Sequence, residues 1–140
     1  MKKLKEYAII FLSGGLFYAL IEILWRGYTH WSMAVTGGGC VLGLYVINIK
    51  RPLVPLWKRC AGCSLFIAAV EFTVGCIVNL RFRWHVWDYS DMKLNILGQV
   101  CPLFTLMWFF LCIPGSAMCR LMYDVLHGEE KSGGIRRYLS

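Results

Sequence analysis

The 140 residues suffice for one domain, and 58% of them are hydrophobic against 16% charged, with a mean hydropathy of +0.56. That composition excludes an ordinary soluble domain. The net charge of +7 could invite nucleic acid, but the basic residues gather at the ends of apolar runs and form no patch interleaved with aromatics, so no nucleic-acid partner is expected.

Met1 to Glu6 is short and basic, with Lys2, Lys3 and Lys5. The apolar run Tyr7 to Trp25 follows, about 28 Å of helix at 1.5 Å per residue, enough to cross a bilayer. No Ala-x-Ala site follows it, so it reads as a first membrane helix (about 7–25) and not as a signal peptide. Gly14, Tyr18, Glu22 and Arg26 recur every four residues, and this polar, small-residue stripe should face protein.

Gly27 to His30 is a tight connection, and His30 reads first as a loop histidine. A second helix is predicted over about 31–49. It carries Gly37-Gly38-Gly39 and a Gly39-x-x-x-Gly43 spacing, which either packs another helix closely or loosens its own. The next connection, Asn48 to Arg59, holds Lys50, Arg51, Pro52, Pro55, Lys58 and Arg59. A third helix is predicted over about 61–80, with Glu71 near its middle. The connection Arg81 to Lys93 mixes charges with Phe82, Trp84, Trp87 and Tyr89, as an interfacial aromatic belt does. A fourth helix is predicted over about 94–112 or beyond, with Pro102 and Pro114-Gly115 expected to bend or end it.

The fold class is therefore all-α: an integral bundle of four transmembrane helices (residues 1–127) with a basic flexible tail (128–140). Lysine and arginine mark the N-terminus, the second connection and the tail, which places both termini in the cytoplasm of a cell-membrane protein. Helices 1 and 3 each carry a glutamate and lead to an outward connection with Arg, His and Trp, a loose hint of two repeated hairpins.

Seven cysteines is an odd number, and Cys40, Cys76, Cys101 and Cys112 lie in apolar runs, as small buried thiols do. Cys60-Ala61-Gly62-Cys63 has CxxC spacing, but no second pair or nearby histidine joins it, so neither a metal nor a cofactor is expected.

A carboxylate at bilayer depth costs roughly 2.5–3.5 kcal/mol on insertion scales, which makes Glu71 the leading functional residue. Glu71, Gly75 and Asn79 share one face of helix 3, and Asn95, Gln99 and Leu103 would share one face of helix 4. If the outward connections meet, a polar cluster forms from Glu22, Arg26, His30, Glu71, Asn79, Trp87, Asp88, Tyr89, Asn95 and Gln99. Such a cluster can bind a small polar solute or ion, or couple protons. The plainer reading of Asn79, Asn95 and Gln99 is that they hold helices together, and Asp88 reads as a loop or capping residue unless it turns inward.

The stretches Ile21–Met33, Glu71-Phe72 with Gly75, Val78 and Asn79, Val86–Ser90 and Asn95–Gln99 resemble a bacterial family of small membrane proteins catalogued as putative ABC-transporter type IV permeases (CmpB-type). The resemblance implies a permease-like role. No GxSxG, HExxH or GxxxxGK[ST] motif is present, so ATP-driven work would need a separate ATPase. Three roles stay open: a transport component working in the bilayer as a homo-oligomer or beside other transporter subunits, an intramembrane enzyme using Glu71, His30 and Asp88 on a lipid-like substrate, or a non-catalytic regulator or assembly partner.

Overall fold

A computed structural model describes residues 2–128. Four helices account for most of them: α1 (Lys2–Arg26), α2 (Trp31–Lys50), α3 (Leu56–Gly75, running on through a π-helical turn, Cys76–Arg81) and α4 (Pro102–Leu126). All four, with α3 counted through Arg81, are long and apolar enough to cross a membrane. Apart from Gly128, the predicted tail lies outside the described residues.

α1 ends at Gly27, whose φ of +81° suits glycine, and the Gly27 amide closes the helix on the Ile23 carbonyl at 2.8 Å. His30 then caps α2, its Nδ1 accepting from the Ser32 amide at 3.2 Å. α1 packs on α2, which in turn packs on α3 and α4. The α1–α2 seam is backbone against backbone: a Cβ at Gly15 would lie 2.7 Å from the Ala34 carbonyl oxygen, and one at Gly38 2.7 Å from that of Phe11. Gly39 is turned away from this seam, and a Cβ there would meet nothing within 4 Å. A Cβ at Gly43 would run into the Phe66 ring of α3.

α3 starts a turn earlier than its apolar pattern suggests. Pro55 ends the connection, and Lys58 and Arg59 fall in the first turn of the helix, where cations are disfavoured by the dipole. Arg59 is held instead by specific bonds: Nη1 donates to Asn48 Oδ1 at 2.6 Å and Nε to the Val54 carbonyl at 3.0 Å.

α4 corrects the expected start near Leu94, for it begins at Pro102. A proline disfavours the α conformation in the residue before it, and Cys101 is extended, with φ −146° and ψ 156°. At N1 the missing N–H of Pro102 costs nothing. Upstream, Leu94, Leu97 and Gly98 have φ of 58°, 53° and 71°, which no helix accommodates. The face shared by Asn95, Gln99 and Leu103 therefore does not exist. Pro114, expected to bend or end the helix, lies within α4, which continues to Leu126.

The core has two parts. One, around Ile10, Tyr45, Ile67, Cys60, Cys63, Cys112 and Cys119, joins all four helices. The other, Met33, Val78, Val86 and Trp87, lies under the connection between α3 and α4. At the first end, Glu6 accepts from the Tyr45 hydroxyl and pairs with His127 Nε2 at 3.2 Å. The start of α1 and the end of α4 are thereby at one end of the bundle.

Candidate functional site

The irregular segment 82–101 is the longest connection, and it folds back on α3. A Cβ on Gly75 would lie 2.5 Å from Gln99 Oε1 and 3.0 Å from the Trp87 ring. Gly75 is six residues below the end of the π turn, so the segment reaches about 9 Å back down the helix. Backbone at such depth has to be satisfied by protein, and here it is. Asn79 Nδ2 donates to Gln99 Oε1 at 2.9 Å, and Asn79 Oδ1 accepts from the Val86 amide at 2.7 Å. Gln99 Nε2 donates to the Leu97 carbonyl at 2.9 Å, and Trp87 Nε1 to the Gln99 carbonyl at 3.1 Å. Asn79, Trp87 and Gln99 are all buried. They form a latch with its hydrogen bonds used internally. Trp87 is thus a core residue and not part of an exposed belt, whereas Trp84 stays exposed and packs with His30, Trp31 and Phe82.

Asn95 and Asp88 shape the same segment from outside. Asn95 Nδ2 donates to the Met92 and Ser90 carbonyls at 2.8 and 3.1 Å, and its Oδ1 accepts from the Gly98 amide at 2.9 Å. Asp88 is exposed, and its Oδ1 accepts from the Ser90 hydroxyl and from the Ser90 amide, the latter at 2.9 Å. The Ser90 hydroxyl first, then the Ser90 amide, hold this carboxyl below its ordinary value of 3.8. A depressed folded value means that the cap is complete at neutral pH and is lost only as pH falls through that lower value. The Ser90 amide should therefore stay protected from hydrogen exchange through the pH at which a free aspartate titrates and lose protection only at lower pH; an Asp88→Asn variant should show no such step.

On α1, Glu22 Oε2 lies 2.8 Å from Arg26 Nε, and Glu22 Oε1 accepts from the Tyr18 hydroxyl at 3.2 Å. The ion pair is close but off the hydrogen-bond line, and Arg26 Nη2 is buried without a hydrogen-bond partner. Arg26 Nη1 donates to the Val86 carbonyl at 3.3 Å, and the guanidinium rides over the Tyr28 ring at 4.8 Å. Arg26 thus ties α1 to the folded-back segment.

Glu71 is only 8% exposed. Trp108 Nε1 of α4 donates to its Oε1 at 3.0 Å, and no ion pair reaches it among the described residues. The carboxyl borders a cavity of about 430 Å³ with Gly14, Phe17 and Tyr18 of α1, Thr36, Gly37 and Cys40 of α2, and Trp108 to Met122 of α4. Almost all of this lining is apolar. Tyr18 and Tyr89 each lie within electrostatic reach of both Glu22 and Glu71, so the two carboxyls bracket one neighbourhood.

The predicted cluster therefore falls into parts. Glu22 and Arg26 meet each other; Tyr89, stacked on Phe104 with ring centres 4.6 Å apart, lies within electrostatic reach of them and of Glu71. Asn79, Trp87 and Gln99 form the latch, Asn95 and Asp88 shape turns, and His30 caps α2. Trp108 is the partner that sequence reasoning missed. Its signal was an indole in an apolar run, because a buried Nε1–H needs an acceptor.

Searches of curated proteins and of solved structures give no match. The sequence does match a family described as "Putative ABC-transporter type IV" over residues 31–128, more than half of the chain. The matched region starts at Trp31, so it contains Glu71, the latch and Trp108, and leaves Glu22 and Arg26 just ahead of it. With four helices fit to span a bilayer, the chain is a multi-pass membrane protein belonging to the family described as Putative ABC-transporter type IV.

Proposed function

We propose that the chain is a transport component of the plasma membrane that binds its solute at Glu71, with Glu22 and Arg26 alongside. One observation carries the reading: a buried carboxyl that no cation among the described residues pairs with borders a cavity of ligand size. The latch and the turn residues serve the site indirectly, by fixing the segment that packs on the end of α3 beyond Glu71. Residues 1–127 form the membrane domain and 128–140 a basic tail.

The orientation follows from charge. Lys2, Lys3 and Lys5, the connection bearing Lys50, Arg51, Lys58 and Arg59, and the end of α4 share one end of the bundle, and we take that end as cytoplasmic. Energy from ATP would come from a separate ATPase subunit, and the exposed apolar faces leave room for such transporter subunits or for a second copy.

The test is proton movement in liposomes under an imposed pH gradient, wild type beside Glu71→Gln. Gradient-driven movement should fall by at least tenfold in the variant while its helical content is kept. Equal movement by the two folded proteins would remove Glu71 from the transport path.

A further inference from the structure

We infer that the ligand of the Glu71 site is an ammonium-headed amphiphile that enters sideways from the bilayer. The inference rests on the site reading above and adds the class of molecule and its route. Three features specify the head. Glu71 offers a carboxyl that no cation among the described residues pairs with, and Tyr18 and Trp108 border the same cavity with ring centres 6.4 Å apart. A carboxyl in a cavity lined by two aromatic rings suits an organic ammonium better than a hydrated metal ion, which would have to shed water into apolar surroundings. An anionic head would be repelled by a charged Glu71 carboxylate.

The tail and the route come from the helix packing. α1 and α4 form opposite walls of the cavity, yet α1 packs chiefly on α2, and α4 on α3 and α2, and neither packs closely on the other. Two contacts bridge them, the Tyr18–Trp108 ring pair and the Glu6–His127 pair at 3.2 Å, and Ile10 of α1 shares a core with Cys112 and Cys119 of α4. Between those two bridges the wall is a slot. Phe17 on one side and Leu111 and Met118 on the other are exposed, apolar and set within the spanning segments, so the slot faces hydrocarbon and not water. A ligand arriving there has to be lipid-soluble over most of its length and carry its charge at one end.

The test uses the full chain in lipid nanodiscs and tritiated dodecyltrimethylammonium, read by scintillation proximity so that only ligand held on the protein counts. Saturable binding is expected. Glu71→Gln should weaken it at least tenfold, and Met118→Trp, which narrows the slot at an exposed position, should weaken it or slow its onset by a similar factor. Tetramethylammonium, the head alone, should fail to compete at a hundredfold excess, and dodecanol, the tail alone, should compete at least tenfold more weakly than the cation.

If tetramethylammonium competes as well as the long-chain cation, the amphiphile class is overturned while Glu71 as a binding group stands. If dodecanol competes equally and Glu71→Gln binds normally, both the class and the Glu71 site fall. Absence of saturable binding to wild type overturns the inference. Should Glu71→Gln fail to fold, Met118→Trp and the competitor series still decide.

Discussion

Gly75→Ala should unfasten the segment 82–101 while leaving the four helices in place. The new methyl would lie 2.5 Å from Gln99 Oε1 and 3.0 Å from the Trp87 ring. Neither group is free to step aside: Gln99 Oε1 is held by Asn79, and Trp87 Nε1 by the Gln99 carbonyl. Moving the carboxamide breaks its bond to Asn79, and each buried group left unpaired costs about 1–3 kcal/mol. A total on the order of 3 kcal/mol corresponds to roughly a hundredfold rise in the open population. Limited proteolysis between Arg81 and Lys93 should speed up by about that factor, with helical circular dichroism unchanged. Wild-type resistance in the variant would show that the segment is held by something other than the contact at Gly75.

Gly38→Ala should be the most damaging single methyl on α2. Its Cβ would lie 2.7 Å from the Phe11 carbonyl oxygen, which is backbone and cannot rotate away. The whole of α1 would have to move, and with it the close approach of Gly15 to Ala34. In lipid, helix association depends on such close packing, because burial of apolar surface supplies no drive there. Loss of about 2–4 kcal/mol is expected in unfolding from mixed micelles. Gly39→Ala is the control one residue away. It meets nothing within 4 Å and should be neutral or stabilising by up to about 1 kcal/mol from helix propensity. Equal damage from both would place the α1–α2 seam elsewhere.

Much of the fold is legible in the chain because each spanning run is long, apolar and bounded by Lys, Arg, Gly or Pro. What misleads is local. Leu94 to Gln99 is apolar and polar at helical spacing, so Asn95 and Gln99 read as one helix face. Two things on the page in the sequence argue otherwise: Pro102, which forces Cys101 into an extended conformation, and the appetite of Asn95 for local backbone groups. Likewise Lys58 and Arg59 hid the first turn of α3 because cations are unexpected there, and only the fold shows Asn48 and the Val54 carbonyl waiting for Arg59. Among the glycines, spacing pointed to Gly39 with Gly43, whereas the α1–α2 seam uses Gly14, Gly15, Gly37 and Gly38. Which face of a helix meets a neighbour is set by the partner, and a motif on one helix does not contain that information.

Of the site, Glu71 was legible because a carboxyl in a spanning helix is costly wherever it sits. Its surroundings were not. Asn79 and Gln99, the polar residues nearest it in the pattern, spend their hydrogen bonds on the latch, while Trp108, 37 residues away, supplies the bond to Glu71.

The π-helical turn Cys76–Arg81 has a consequence for how this chain tolerates changes in length. A π turn holds one residue more than an α turn and is the scar that a single insertion leaves in a helix. Removing one residue from Cys76–Val78 should let the turn relax to α geometry with the chain beyond it near its present orientation, whereas forcing the same residues into α geometry would rotate that chain by about 100°. In the first case α3 would become more regular and keep Asn79 near Gln99 and Val86; in the second Asn79 would swing away from both. The irregular turn is in this sense a vernier: it sets the angle at which the end of α3 presents its asparagine, independently of the register that places Glu71 one and a half turns below.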